Sequence, residues 1–159
     1  HEDMAIRSFF VQDAEGHRVR TLSPGKLYKA VMAVEFRAAV DDLIFGFVLE
    51  NRKGVQLFAF NSFVSNTRHT FAVDKPCVAA GEFSFRLPLV TSGEYLLSPA
   101  VAVGCQQEHE TRTWLENALV IRVDNTEGFN LGLIELASEF KVKLYETGQV
   151  RFRRSSDNL

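Results

Sequence analysis

An all-β fold is predicted for this 159-residue chain: a β-sandwich with an extra strand-like tail at its C-terminal end. Three features predict it. Fourteen phenylalanines and many valines favour pleated, half-buried strands over helix. Apolar and polar residues alternate with a period of two along most of the chain. Strand-like runs separated by turn residues recur at about 8–12-residue spacing, the pattern of a sandwich.

The elements follow in order. "AIRSFFVQ" (Ala5–Gln12) is a strand, turned by Asp13-Ala14-Glu15-Gly16 into "HRVRTL". Ser23-Pro24-Gly25 breaks the chain before the long strand "KLYKAVMAVEFRA" (Lys26–Ala38). Met32 and Val34 face one way there with Phe36, and Lys29, Glu35 and Arg37 the other. Asp41-Asp42 reads as a turn. "LIFGFVLEN" and "VQLFAFNS" form a hairpin closed by Arg52-Lys53-Gly54. "GEFSFRLPLVTSGEYLLSPAVAVG" (Gly81–Gly104) reads as a second hairpin around Thr91-Ser92-Gly93. In it Pro88 ends the first strand, and Pro99 marks an edge or a bulge in the second. "ALVIRVD" (Ala118–Asp124) turns Leu119, Ile121 and Val123 inward. "LGLIELASEF" has room for one or two helical turns.

Residues 4–124 thus read as one sandwich domain. The polar, glycine-containing "DNTEGFNLG" opens a linker over 125–138. Residues 139–154 form a separate strand-like tail, in which Phe140, Val142 and Leu144 alternate with lysines. The opening "HEDMAIRS" has no initiator methionine and reads as a fragment start, with His1–Asp3 a vector remnant.

Composition excludes several functions. A net charge of −2 makes no electrostatic case for nucleic acid or an anionic membrane. No apolar run approaches the roughly 20 residues of a membrane span, and no secretory signal is present. Two cysteines, Cys77 and Cys105, are too few for a disulfide scaffold and fit a reducing compartment, with one bridge left open.

Chemistry-bearing motifs are missing. "SPGKLYK" lacks the first glycine and the Ser/Thr of a phosphate loop, and it precedes a strand. "HETRT" has no second histidine at i+4. His17, His69 and His109 are too dispersed for the usual zinc spacing. Cys77 reads as a structural thiol. Glu50, Glu94 and Glu116 show no acid–base pair, and no serine sits in a nucleophile elbow. The expectation is no catalytic residue, no metal and no cofactor.

What the alternation leaves over is apolar surface. Opposite the core-facing positions stand Val31 and Ala33, Gly46 and Val48, and Ala118 and Val120, with Phe58 or Phe60 nearby. Such a face is covered by the tail or a second subunit, or it forms a shallow groove for a ligand with flat apolar patches and many hydroxyls, a sugar chain. Aromatic rings suited to stacking on a sugar are Trp114, Phe60, Tyr28 and Tyr95. Planar or polar partners for hydroxyls are Asn61, Asn66, Arg68, His69, Gln106, Gln107 and Arg112.

The order of segments carries a resemblance. Asp13-Ala14-Glu15-Gly16-His17-Arg18-Val19 matches a "D-x-x-G-x-x-V" turn, and Gly25-Lys26-Leu27-Tyr28 a "G-x-x-y" strand start. Phe45-Gly46-Phe47, Gly54 and Leu57–Asn61 follow, then Gly81, Phe85, Leu87-Pro88, Gly93, Tyr95 and Leu97, and a closing strand at Ala118–Val123. From about Ile6 to Asp124 the chain resembles the carbohydrate-binding C-terminal domain of Wzt, the ATP-binding subunit of bacterial O-antigen ABC transporters. The insert Phe63–Ala80 and the tail depart from that pattern. The resemblance implies an immunoglobulin-like or jelly-roll sandwich without ATPase motifs. It implies binding of completed O-antigen polysaccharide in the cytoplasm, at the inner face of the bacterial inner membrane. It also implies a homodimer made by an exchanged tail strand, through Phe140, Val142 and Leu144. Contact with the transmembrane transporter subunit would come through the full-length protein. A dimerisation module without glycan contact is the alternative.

Overall fold

The computed structural model describes residues 3–65, 68–135 and 140–142. Two sheets pack face to face. The first holds β1 (Met4–Gln12), β2 (Arg18–Val19), β4 (Leu27–Phe36) and β8 (Cys77–Arg86), in the order β2-β1-β4-β8. The second runs β3 (Thr21–Leu22), β11 (Leu119–Val123), β9 (Gly93–Gly104), β5 (Val40–Asn51) and β6 (Gln56–Asn61). In it β10 (His109–Trp114) pairs with β9, and β7 (Phe71–Val73) pairs with β5. Among the described residues all the strand pairs are antiparallel except β3 with β11. Among them, too, the one helix is the single turn α1 (Ser62–Ser65).

Alternation sets the core. Ala30, Met32, Val34 and Phe36 of β4 are buried against Phe45, Phe47 and Leu49 of β5, and Leu119, Ile121 and Val123 close the far side. Phenylalanines cluster around Phe47, whose ring centroid lies 5.4 Å from Phe83, 5.8 Å from Phe9 and 6.1 Å from Phe60. Gly81 is required by this packing: a Cβ there would stand 2.5 Å from the ring of Phe45.

Two of the turns are built as expected from their polar residues. Asp13 Oδ1 accepts from the N–H groups of Glu15 and His17, and Asn51 Oδ1 accepts from those of Lys53 and Val55. Gly54 takes the positive φ (75°) that closes the β5–β6 hairpin.

Four local expectations change. Gly81–Gly104 is not a hairpin: β8 pairs with β4 in one sheet and β9 with β5 in the other. The segment between them crosses the end of the sandwich, tied down where Leu87 N donates to Lys26 O and Gly25 N to Leu87 O. Pro99 sits in neither an edge nor a bulge. It lies in the central strand β9 opposite Phe47, in an unbroken β5–β9 register. On the other flank β11 ends at Leu97 and β10 begins at Ala100, and Leu115 N donates to Pro99 O at this seam. A residue's N–H and C=O point to the same side of an antiparallel strand, so the missing donor falls where no ladder partner exists. Asp41-Asp42 is a bulge within β5, with Asp42 at φ 53°, rather than a turn between strands. Of the stretch expected to hold a helical turn, residues 131–135 hold an isolated bridge, Val90 to Ile134, and 136–139 lie outside the described residues.

The stretch from Asn125 to Glu135 folds back on the sandwich. Asn125 is buried, and its N–H donates to Ser92 Oγ. Its Nδ2 donates to Glu135 Oε2 at 2.7 Å, while Glu135 Oε1 accepts from Phe129 N at 2.8 Å. Asn130 Oδ1 accepts from Ser92 N and Thr91 Oγ1. Glu135 thus closes a loop over Leu89–Ser92. Both cysteines are free thiols, Cys77 half-buried and Cys105 exposed.

Candidate functional site

The outer face of the second sheet is hollowed where β6, β5, β9 and β10 lie side by side. Residues opposite the core alternate along each strand, and here they are small. Gly46 on β5, Ala59 on β6, and Ala100 and Ala102 on β9 make the floor, with Ile44 and Val48 beside them. Gly46 keeps the floor deep: a Cβ there would meet Phe60 O at 2.9 Å and the Asn61 Cβ at 3.0 Å. β10 raises a wall of His109, Thr111 and Trp114. A bulge between Thr111 and Thr113 lets Trp114 follow Thr111 onto this same face. At the open end Asn61 Nδ2 donates to Gln106 Oε1 at 3.2 Å, so the two amides are held together as a rim. The cavity measures about 180 Å³. Among the described residues no Lys, Arg, Asp or Glu lines it.

This geometry can hold a flat, hydroxyl-bearing ring. The floor offers methyl and C–H groups, Trp114 is half exposed and offers an aromatic face, and the neutral rim offers donors and acceptors. Among the described residues no three His, Cys, Asp or Glu side chains gather as a metal site would require.

Three of the residues picked out by type in the sequence, Trp114, Asn61 and Gln106, come together here. Phe60 borders the cavity, but its register opposite Phe47 turns the ring inward, where it packs on Phe47 and Phe83 (5.6 Å). Tyr28 and Tyr95, 7% and 2% exposed, pack in the core and do not line this cavity. Tyr28 Oη accepts from Ser23 N, and Tyr95 Oη donates to Thr91 O at 2.6 Å. Burial pushes the Tyr95 phenol above its ordinary pKa. Arg112 is on the opposite side of β10 from the cavity, 3.1 Å from Glu110 and 4.0 Å from Asp3. Arg68 and His69 are exposed beside α1 and do not line the cavity, nor does Gln107. Asn66 lies outside the described residues.

Thr111, Ala100 and Ala102 escaped the sequence reading, and His109 entered it only as one of three dispersed histidines. Their signal was present as alternation: His109 and Thr111 share one face of "HETRT", and Ala100 and Ala102 flank the inward Val101. The small apolar positions also divide differently. Val31 and Ala33 belong to the outer face of the first sheet, where Val31 pairs with Phe10 under the guanidinium of Arg18. Gly46 and Val48 belong to the second. The face that looked continuous in sequence is two faces on opposite sides of the molecule.

Of the tail residues expected at a dimer contact, Phe140 and Val142 are exposed and Leu144 lies outside the described residues. No helix among the described residues is long and apolar enough to cross a membrane.

Known proteins extend the comparison. The crystal structure of the C-terminal domain of Wzt superposes with a TM-score of 0.79 at 24% identity, covering 89% of this chain and 84% of that one. A weaker likeness, TM-score 0.51 at 10% identity, links 77% of this chain to 30% of the alkylpurine DNA glycosylase AlkC of Pseudomonas fluorescens, solved bound to DNA containing an abasic-site analog. Both are likenesses of fold. No curated protein matches the chain. The Wzt C-terminal domain family model matches residues 1–136, most of the chain. On that match the chain belongs to the Wzt C-terminal domain family.

Proposed function

We propose that this domain is a non-catalytic carbohydrate-binding module that recognises completed O-antigen polysaccharide in the cytoplasm and couples it to export by an ABC transporter. The observation that carries the reading is the cavity on the second sheet: a floor of small apolar residues, one aromatic wall and a rim of neutral hydrogen-bonding groups. Membership of the Wzt C-terminal domain family supports it and supplies the transporter. The domain works as a homodimer at the inner face of the bacterial inner membrane, reached through the ATPase and transmembrane parts of the transporter. It requires no metal or cofactor.

Titration calorimetry of the domain against O-polysaccharides, with chelator and without nucleotide, tests this. Binding in the micromolar to millimolar range is expected, since a shallow site buries little of each sugar. Loss of binding in chelator, or no binding to any polysaccharide, sinks the proposal. Trp114→Ala should weaken binding about tenfold while leaving the melting temperature within about 2 °C, because the ring is half exposed. Phe60→Ala should do the reverse, lowering stability more than affinity, since its ring packs inward.

The second reading is a dimerisation module without glycan contact. Phe129 and Leu131, 85% and 92% exposed, favour it by offering apolar surface far from the cavity residues in sequence. A stable dimer that binds no polysaccharide in the same titration would turn the case toward it.

A further inference from the structure

The cavity's own chemistry narrows the sugar, provided that the domain binds carbohydrate as proposed. We infer that the cavity takes a single uncharged 6-deoxyhexose residue of the polysaccharide, with its C6 methyl on the floor made by Gly46, Ala59, Ala100 and Ala102.

Size comes first. A cavity of about 180 Å³ falls below the roughly 300–1,000 Å³ usual for drug-sized ligands, so it fits one ring and not a run of several. Charge comes next. With no Asp or Glu among the described lining residues the ammonium of an amino sugar would enter unpaired, and with no Lys or Arg a uronic acid would meet only His109. Arg112, the nearest cation in sequence on the wall strand, is turned to the other side toward Glu110 and Asp3.

The position of the polar groups then sets the substituent. Asn61 and Gln106 are at one end, and His109 and Thr111 stand along one wall. These four hydrogen-bonding groups match the ring hydroxyls of a pyranose. The floor carries nothing beyond hydrogen and methyl side chains. Its strands β5 and β9 are paired with each other throughout, Gly46 with Ala100 and Ile44 with Ala102. Ser98, the one hydroxyl on that side of β9 next to the floor, is buried and already accepts from Asn117 N. The hydroxymethyl of an ordinary hexose would therefore place a hydroxyl where no partner waits. A 6-deoxy sugar places a methyl there, on Trp114 and three alanines. An apolar pocket discriminates against an added hydroxyl by about ten- to a hundredfold.

Heteronuclear NMR titration with sugar pairs that differ only at O6 tests this: L-fucose against L-galactose, and L-rhamnose against L-mannose. N-acetylglucosamine and glucuronic acid serve as further arms, and polysaccharides with 6-deoxy and 6-hydroxy repeats run in parallel. The 6-deoxy partner of at least one pair should bind about tenfold more tightly and shift the amide signals of Gly46, Ala100 and Ala102. Ala100→Ser, which adds a hydroxyl to the floor with little change of size, should bring that ratio close to one and leave the melting temperature unchanged. Equal binding within both pairs in both formats, preference for the 6-hydroxy, acetylated or acidic sugar, or a ratio untouched by Ala100→Ser overturns the assignment while the glycan reading stands. Silence toward every sugar and every polysaccharide overturns both.

Discussion

Phe47→Ala is expected to destabilise the domain by about 3–5 kcal/mol, the range for removing a fully buried phenylalanine ring. The residue is 2% exposed and joins the two sheets. Its ring meets Phe83 and Phe85 of β8, Phe9 of β1, and Phe58 and Phe60 of β6. These neighbours are themselves large and mutually packed, so they have little freedom to collapse into the space left behind, and a cavity would remain. Against a typical total of about 5–15 kcal/mol the loss is a large share of the stability. It should lower the melting temperature by roughly 10 °C, at about 2–4 °C per kcal/mol for a chain of this length. Differential scanning calorimetry measures it directly, with Trp114→Ala as the comparison at the surface. A fall of under about 3 °C would show that the phenylalanine cluster does not hold the sheets together. Glycan binding by the fraction still folded should be nearly unchanged, because the Phe47 ring lies on the core side of β5 and the proposed sugar site on the other.

That separation of two sides of one strand explains how much was legible beforehand. Period-two alternation is local, so it correctly turned Met32, Val34 and Phe36 inward on one strand and Leu119, Ile121 and Val123 on another. Sheet membership is not local. Nothing in "GEFSFRLPLVTSGEYLLSPAVAVG" shows that its halves belong to different sheets; the decision lies in the partners, β4 for one and β5 for the other. The same gap split the apolar positions of β4 from those of β5. It also hid His109 and Thr111, which acquire meaning only because β10 lies along Ala100 and Ala102. Residue type alone found Trp114, Asn61 and Gln106. Residue type also suggested Tyr28 and Tyr95, whose hydroxyls turn out to be satisfied within the core by the backbone at Ser23 and Thr91. Pro99 misled for a related reason: a central strand tolerates proline where its flanking partner changes, and two partners can be seen only in the folded sheet.

Truncation after Glu135 should give a monomer where the intact chain gives the proposed dimer. Cutting there, rather than after Asp124, keeps the hydrogen bonds of Asn125 and Glu135 that fasten the stretch to Leu89–Ser92. A cut after Asp124 would unlatch that turn and uncover Val90, which is 1% exposed, so aggregation would confuse the result. Beyond Glu135 the chain carries the alternating Phe140, Val142 and Leu144. Phe140 is 79% exposed and Val142 lies open as well, surface that a second copy would cover. The sandwich offers a place for it. Among the described residues β6 and β8 are edges of their sheets on the same flank, and Phe58, Phe60, Phe85 and Pro88 line an apolar slot between them. A strand from a neighbouring copy laid along either edge would extend the ladder and bury its apolar side chains in that slot. Full burial of three such side chains contributes roughly 5–8 kcal/mol before ordering costs, enough to hold a pair together at micromolar concentration. Exchange between copies repeats the contacts a chain would make with itself, which makes it a low-cost route to a two-fold dimer. Sedimentation velocity of the intact chain and of the chain ending at Glu135 decides the matter. An intact chain that is monomeric at tens of micromolar sinks the exchange. So does a truncated chain that stays a clean dimer, since the contact would then lie in Phe129–Ile134 or on the outer face of the first sheet.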